Sequence, residues 1–141
     1  MNEPELNSTA SAQLLVAESD LASALGSDPL DFFPPVFATS RMVALMELAA
    51  ARVLRPFLGP GELSVGVSLD ISHNAATPAG NTVTATARYL GREARLFLFE
   101  VVASDQGGEV GRGTHKRAIV STDRLLAGAA RRGGDASLTG C

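Results

Sequence analysis

Three side chains of this sequence have types and positions that suit acid–base or nucleophilic chemistry: Glu47, His73 and Thr39. Glu47 is the only carboxylate in the apolar stretch FATSRMVALMELAAARVL, residues 37–54. Helical neighbours of position 47 lie three and four residues away, and they are Val43, Ala44, Ala50 and Ala51. An unpaired buried charge costs several kcal/mol. We therefore expect Glu47 to be compensated from another element, to face a cavity, or to lie at an open seam in contact with water.

His73 ends a strand-like stretch, LSVGVSLDISH, over residues 63–73. Apolar side chains occupy alternate positions from Val65 to Ile71, and His73 has the same parity. Because side chains two apart in a strand point the same way, His73 is expected to end the row facing the helix, within reach of a helix-borne acid. The other interpretation is a core histidine bound to a backbone carbonyl.

Thr39 lies at the start of the predicted helix, eight residues before Glu47. Threonine is common at helix N-caps, where its hydroxyl accepts a backbone N–H bond, and the residue pattern favours that role. The functional interpretation is a hydroxyl that lines the same pocket as Glu47, because positions i and i+8 lie only about 80° apart around a helix.

The elements that must position these groups follow from periodicity and turn residues. A first strand is predicted over 12–18 and a short helix over 19–26, followed by the proline- and phenylalanine-rich segment SDPLDFFPPVF. The long helix is predicted over 38–58. Four strands in a meander follow, at 63–73, 81–90, 95–104 and 109–122. Hairpin turns are expected at Gly91 and in DQGG, residues 105–108.

The lengths of these elements predict the architecture. At about 1.5 Å per residue the long helix spans roughly 27–30 Å, which is about the length of an eight- to ten-residue strand. One antiparallel five-stranded sheet could therefore wrap around the helix, which would explain a helix that is apolar on all sides. This α+β arrangement is the hot-dog fold. Its free sheet edges favour dimerisation.

Composition excludes several classes of function. The chain has 141 residues and a net charge of −3, without the basic stripe typical of nucleic-acid binding. No apolar run reaches the roughly 18 residues of a membrane span, and the polar N-terminus is not a secretory signal. A single cysteine, Cys141, indicates neither a disulfide framework nor a metal cluster. We therefore expect a cytoplasmic protein without a metal.

The same survey predicts the organisation of the chain. Residues 1–10 are expected to be a disordered N-terminus, residues 11–127 a single domain, and residues 128–141 a flexible C-terminal tail.

Three stretches together resemble the fluoroacetyl-CoA thioesterase family, a branch of the hot-dog acyl-CoA thioesterases. They are FPPVFATSRMVALMELAAARVLRPFLGPGE, ISHNAATPAGNTVTATA and GRGTHKRAIV. The resemblance covers about residues 29–120 in register. It implies a homodimer that hydrolyses a short-chain, fluoroacetyl-CoA-like thioester to a free acid and CoA, or the same thioester on a carrier protein, without a cofactor.

The resemblance also implies roles for particular residues. It places the family's catalytic threonine, glutamate and histidine on Thr39, Glu47 and His73. Residues expected to contact substrate are Gly66 near the thioester, Arg117 in the acyl pocket, and Phe33, Leu30 and Phe37 in or beside a lid. Leu30 stands where the family has a phenylalanine, and the lid is one residue shorter than the family's.

Two other functions are compatible with this pattern. A hot-dog enoyl-CoA hydratase or dehydratase also uses a histidine with a carboxylate, so Glu47 and His73 could serve it. A non-catalytic acyl-CoA-binding protein is the third possibility. In a thioesterase, Glu47 would either attack the carbonyl carbon or act as general base on water.

Overall fold

The computed structural model describes the backbone of residues 3–140 and the side chains of residues 3–133. Its elements are β1 (Thr9–Leu15), α1 (Thr39–Leu54), β2 (Glu62–His73), β3 (Thr82–Glu93), β4 (Leu96–Asp105), β5 (Gly108–Ser121) and α2 (Thr122–Gly140). Short 3-10 turns lie at Glu18–Asp20, Ala22–Ala24 and Arg55–Phe57. No helix in this part of the chain is long and apolar enough to cross a membrane.

The five strands form one antiparallel sheet in the order β1-β3-β4-β5-β2, with α1 packed against it. The predicted hot-dog fold is therefore confirmed. The predicted meander of the last four strands is wrong, because β2 pairs with β5 at the far edge rather than with β3. Three strand spacings of about 4.8 Å separate β2 from β3, and the connection over residues 74–81 is long enough to cross that distance.

The core lies between α1 and the strands that alternate most regularly. Inward residues of β3 and β4 are completely or almost completely buried, and they are Val83, Ala85, Ala87, Tyr89, Phe97, Phe99, Val101 and Ala103. The small residues among them allow α1 to pack closely on the sheet. The opposite side of α1 is open, with Ser40, Arg41, Ala44 and Leu48 exposed. In the single chain the sheet therefore packs on one side of α1 and leaves the other side exposed.

Two local features of the sheet differ from the sequence-based expectation. The β3–β4 hairpin turns at Ala94 and Arg95, and Ala94 adopts a left-handed φ of 57°. Gly91, expected in the turn, lies instead at a β-bulge, where the register shifts between Tyr89 and Gly91. Its φ of 118° is readily adopted only by glycine.

The first residues that the structure describes contact β3. Residues 3–8, within the predicted disordered stretch, follow the sheet. Asn7 N–H donates to the carbonyl of Tyr89 at 2.8 Å, and the Tyr89 hydroxyl donates to Glu3 at 3.0 Å. Burial, together with the Glu3 carboxylate, raises the pKa of Tyr89 to about 12. The strand β1 starts at Thr9, three residues before the start of the predicted first strand.

The C-terminal stretch predicted as a flexible tail is described as part of α2, which ends at Gly140. Residues 1, 2 and 141 lie outside the described residues. The assignment of residues 11–127 to a single domain stays a prediction.

A buried hydroxyl links the segments that meet at the start of α1. Thr77, in the β2–β3 connection, is completely buried. Its Oγ1 donates to Asp105 Oδ2 at 2.7 Å, and its carbonyl accepts the N–H of Phe37 at 2.8 Å. These bonds hold the residues before α1 against the end of β2 and the β4–β5 turn.

We therefore expect Thr77→Val to lower the free energy of unfolding by about 1–3 kcal/mol, because Asp105 loses a buried donor. The control is Thr86→Val, which removes an exposed bond to Ser11 and should change stability by less than about 0.5 kcal/mol. Urea denaturation of both variants measures the difference. Equal effects would show that the Thr77 bond contributes no more than a surface contact.

Candidate active site

The start of α1 and the end of β2 form the first part of the candidate site. Thr39 is the first residue of α1, and its Oγ1 lies 2.7 Å from Nδ1 of His73. The N-cap is Ala38, and no side chain caps this helix end. The predicted capping role of Thr39 is therefore wrong, because its hydroxyl faces His73 across the sheet end instead of bonding to the helix backbone.

His73 lies in a partly apolar cleft. Its ring packs edge-on against Phe37, with ring centroids 6.4 Å apart and an interplanar angle of 79°. The Nε2 atom is buried and has no hydrogen-bond partner among the described residues. Burial lowers the pKa of His73, and a hydrogen bond with the backbone of Ala75 opposes that shift. Neutral imidazole is therefore favoured, with one ring nitrogen still unengaged.

A cleft of about 390 Å³ opens beside this pair. Its lining consists of Ala22, Pro34, Val36, Phe37, Thr39, His73, Asn74, Ala75 and Ala76. Thr39 and His73 supply polar side chains to a wall that is otherwise mostly apolar. An acyl or pantetheine chain could be accommodated there with its polar group near His73.

The carboxylate of Glu47 has a partner from the sheet. Arg117 Nη1 on β5 lies 3.3 Å from Glu47 Oε2. The Glu47 side chain is 40% exposed, whereas that of Arg117 is 7% exposed. Two of the expectations for Glu47 therefore hold together: another element compensates its charge, and it lies at a seam open to solvent.

A β-bulge brings Gly66 against Glu47. Gly66 pairs with Arg117 and Ser68 pairs with Lys116, so Val67 is an extra residue in β2. The bulge reverses the side-chain parity on one side of it. As a result Gly66 shares the inner face with Arg117, and the prediction that Val65 and Val67 face the helix is wrong. A Cβ at Gly66 would overlap Oε2 of Glu47, so a side chain at this position would displace the carboxylate from where it now lies.

Arg117 is anchored from three directions. Its Nε donates to Ser64 Oγ and its Nη2 to the Ser64 carbonyl, each at 3.0 Å, and its Nη1 lies 3.1 Å from Nε2 of His115. Sequence reasoning overlooked Ser64 and His115. His115 could have been found from strand geometry, because it lies two residues before Arg117 on the same face. Ser64 lies on the face of Gly66, and that face turns towards the helix only because of the bulge.

The structure joins the three predicted catalytic residues only in part. Thr39 and His73 are in contact, but Glu47 is eight residues further along α1, which corresponds to about 12 Å along the helix axis. Glu47 instead contacts Gly66 and Arg117, two of the residues that the family resemblance pointed to. One chain therefore carries two separate polar groups: the Thr39–His73 pair, and a cluster made of Glu47, Arg117, His115 and Gly66.

The residues expected in or beside the lid differ in burial. Leu30 and Phe33 are 80% and 52% exposed and are not among the residues that line the cleft at His73. Phe37 is 1% exposed and forms a wall of the cleft at His73. Phe37 thus serves the core and the cleft together.

Comparison with known proteins gives consistent results. The family model described as fluoroacetyl-CoA-specific thioesterase matches residues 16–123. A fluoroacetyl-CoA thioesterase from Streptantibioticus cattleyicolor is 46% identical over 95 residues, which is 67% of this chain and 68% of that protein.

Solved structures show the same likeness. A crystal structure of the fluoroacetyl-CoA thioesterase FlK is 36% identical, with a TM-score of 0.85 over 90% of this chain and 96% of that chain. A variant of FlK in complex with acetyl-CoA is 35% identical, with a TM-score of 0.86 over 92% and 98% of the two chains. A thioesterase superfamily member from Thermus thermophilus is 26% identical, with a TM-score of 0.84 over 93% and 94%.

The burial of both histidines leads to a test by NMR. Burial is the largest influence on the pKa of His73 and of His115, and it lowers both. We expect both imidazoles to titrate below the ordinary value of 6.5 when their carbon or nitrogen shifts are followed against pH. Below pH 6.5 the unfolded chain then binds more protons than the folded chain does. The free energy of unfolding should therefore decrease as the pH is lowered below 6.5. A His73 pKa at or above 6.5 would contradict the buried, neutral imidazole.

Proposed function

The chain belongs to the fluoroacetyl-CoA-specific thioesterase family and is an acyl-CoA thioesterase, and we propose that it hydrolyses short-chain acyl-CoA thioesters with Glu47 as the reacting carboxylate. The short acyl group is suggested by the fluoroacetyl-CoA named for the family and by the acetyl-CoA bound to the FlK variant. The reaction breaks the C–S bond and adds water, so the products are a free acid and CoA. It requires no cofactor.

The observation that carries this proposal is the placement of Glu47. It is the only carboxylate of α1, and its Oε2 is held by Arg117 beside the bare backbone of Gly66. This arrangement leaves Oε1 for the chemistry. Oε1 either attacks the thioester carbonyl carbon or removes a proton from the attacking water. The second route places a water molecule between Oε1 and the carbonyl carbon, and in both routes the thioester binds on the side of Glu47 that faces Gly66.

The bulge in β2 suits the oxyanion that forms during either route. Val67 has no partner in the register with β5, and an extra residue in a bulge leaves its backbone groups outside the ladder. We assign a backbone N–H at this bulge as the donor to the developing oxyanion. Gly66 keeps the approach to that donor free of side-chain atoms.

His73 and Thr39 are assigned to the departing thiolate and to water. A histidine with a lowered pKa is neutral near pH 7 and can accept a proton from water. In the route in which Glu47 attacks the carbonyl carbon, that water opens the anhydride, and the protonated His73 returns the proton to the CoA thiolate. In the general-base route Glu47 takes the water proton, and the neutral His73 orients the water. The Thr39 hydroxyl at Nδ1 fixes the orientation of the ring, so that the unpartnered Nε2 faces the reacting groups.

Thr39 and Glu47 are separated by about 12 Å along the axis of α1, and this spacing favours a site that a second copy of the chain completes. We propose a homodimer in which Glu47 of one protomer faces Thr39 and His73 of its partner. The free edge of β2 and its neighbouring apolar residues support this arrangement: Leu63 and Val67 are each 51% exposed and Leu48 is 43% exposed. Burying this surface is favourable, and a two-fold axis would create two equal sites.

The exposed lid residues fit the same proposal. Leu30 and Phe33 lie in the segment before α1 and are free to close over an acyl group bound at the dimer interface. Excluding water from the site would strengthen the electrostatic contacts to the oxyanion. Leu30 is smaller than the phenylalanine of the family and should accept acyl groups other than fluoroacetyl.

Thiol release from a panel of acyl-CoAs tests the activity. We expect turnover of acetyl-, fluoroacetyl- and propionyl-CoA to exceed that of long-chain acyl-CoAs. Glu47→Gln should lower kcat by a factor on the order of a hundred or more, because it removes the nucleophile or base. Glu109→Gln, which breaks only a surface pair with Arg112, is the control. Hydration of crotonyl-CoA without thiol release would instead support a hydratase, and binding without either reaction an acyl-CoA-binding protein.

Mixed dimers test the sharing of sites between protomers. Glu47→Gln and His73→Ala should each be inactive as homodimers. In a heterodimer of the two, one site carries both substitutions and the other carries neither. We therefore expect mixing with subunit exchange to restore about one quarter of wild-type activity. No recovery in a mixture shown by tagged pull-down to contain heterodimers would place each complete site within a single protomer.

A further inference from the structure

His115 is a buried histidine that the proposed mechanism does not use. It lies on β5, is 1% exposed and packs against the ring of Phe99 at a centroid distance of 6.4 Å. Its Nδ1 is 2.8 Å from the Ser68 carbonyl oxygen, and its Nε2 is 3.1 Å from Nη1 of Arg117. Both ring nitrogens are therefore engaged, each by a partner of fixed hydrogen-bonding character.

These two partners select one protonation state. A carbonyl oxygen only accepts hydrogen bonds, so Nδ1 must carry a hydrogen. A guanidinium only donates, so Nε2 must be bare. The imidazole is consequently neutral with its hydrogen on Nδ1. A doubly protonated ring would oppose an N–H to the N–H of Arg117.

The charged and titratable groups facing His115 agree with the neutral form. Burial and the Arg117 charge on β5 lower the pKa of His115, whereas the Ser68 carbonyl on β2 and the Glu47 carboxylate on α1 act against that shift. From β4 the facing side chain is the uncharged ring of Phe99.

Arg117 transmits the position of His115 to Glu47. Its Nη1 has two hydrogens, and the two acceptors near it are Nε2 of His115 at 3.1 Å and Oε2 of Glu47 at 3.3 Å. With Nε and Nη2 fixed on Ser64, the bond to His115 fixes the remaining corner of the guanidinium. The second Nη1 hydrogen then points at the carboxylate.

Gly66 places all of these groups in one contact cluster. A Cβ on Gly66 would overlap Glu47 Oε2 and would lie 3.3 Å from Cε1 of His115. The imidazole and the carboxylate therefore flank the same stretch of bare backbone. A shift of the ring would alter the space that the thioester is proposed to enter.

We propose that His115 is a positioning residue of the active site, whose neutral imidazole orients Arg117 so that Arg117 holds Glu47 against Gly66. This inference rests on the proposed function, in which Glu47 is the reacting carboxylate. His115 itself does not touch the thioester. Its contribution is to kcat, because a carboxylate displaced by about 1 Å loses alignment with the carbonyl carbon.

Two substitutions of His115 test the roles of its two ring nitrogens separately. In His115→Gln the side-chain oxygen can reach the place of Nε2 and accept from Arg117. In His115→Asn the amide reaches only the place of Nδ1 and can donate to Ser68. Both replacements are neutral amides. We expect His115→Asn to lower kcat by a factor on the order of ten to a hundred with KM changed less than about threefold, and His115→Gln to recover most of that loss.

Unfolding measurements on both variants identify a purely structural role. If the two variants lose stability and activity in parallel, or if His115→Asn keeps wild-type kcat, the positioning role is overturned. The pH dependence of kcat gives a second readout, because Gln at this position cannot titrate. Because protonation of His115 would break its bond to Arg117, the acid limb of the wild type should move to lower pH in His115→Gln. An unchanged limb shows that other groups of the site, such as Glu47 or His73, set it, and overturns a pH-dependent contribution from His115.

The tautomer can be measured on the wild-type protein without any variant. Nitrogen-15 NMR of labelled histidine should show His115 protonated on Nδ1 and bare on Nε2 at neutral pH. An Nε2-protonated or doubly protonated ring would overturn the proposal even if the enzyme is active. If the Glu47→Gln variant keeps full turnover, the proposed function is refuted. The expected tautomer of His115 in the same protein would then still support the geometry of the cluster.

Discussion

The ion pair between Glu47 and Arg117 determines how the rest of the site is built. It joins the middle of the helix to β5, 70 residues later in the sequence. Arg117 is almost fully buried, so its charge needs several acceptors, and it receives them from Ser64, His115 and Glu47. A buried guanidinium with one acceptor removed is strongly unfavourable. The positions of Ser64, His115 and Glu47 therefore depend on one another through Arg117.

The bulge at Val67 is the backbone feature that makes this contact possible. Without it, the parity of β2 would direct Gly66 away from Glu47, and a different side chain would occupy the space beside the carboxylate. The same extra residue leaves backbone groups outside the β2–β5 ladder. One local irregularity thus provides the room for the carboxylate and the backbone N–H that we propose as the oxyanion donor. Bulges are common next to active sites for reasons of this kind.

The length of α1 sets the second constraint. Thr39 is at its first residue and Glu47 is two turns further on, so a rigid helix keeps them about 12 Å apart. No side-chain rotation closes that gap. The exposed side of α1, together with the free edge of β2, is the surface on which a second helix of the same kind could supply the missing group. In the proposed homodimer, catalysis and dimerisation are properties of the same surface.

The sequence by itself determined the elements and their class. The apolar periodicity of residues 37–54 indicated the long helix, and alternation with turn residues indicated the later strands to within a few residues. It also singled out Glu47, since no helical neighbour can neutralise it, and the family resemblance added Gly66 and Arg117. These signals are local or are matches along the chain, so they can be read without coordinates.

Only the tertiary structure decided the strand order, the bulge at Val67 and the partners of the polar groups. The position of β2 beside β5, the pairing of Thr39 with His73 instead of the helix backbone, and the role of His115 all depend on contacts between distant segments. A one-residue insertion in a strand reverses the direction of every side chain beyond it, and periodicity in one strand does not report its register with the next. For that reason the sequence identified the candidate site residues, but their grouping into two clusters followed from the packing of the helix on the sheet.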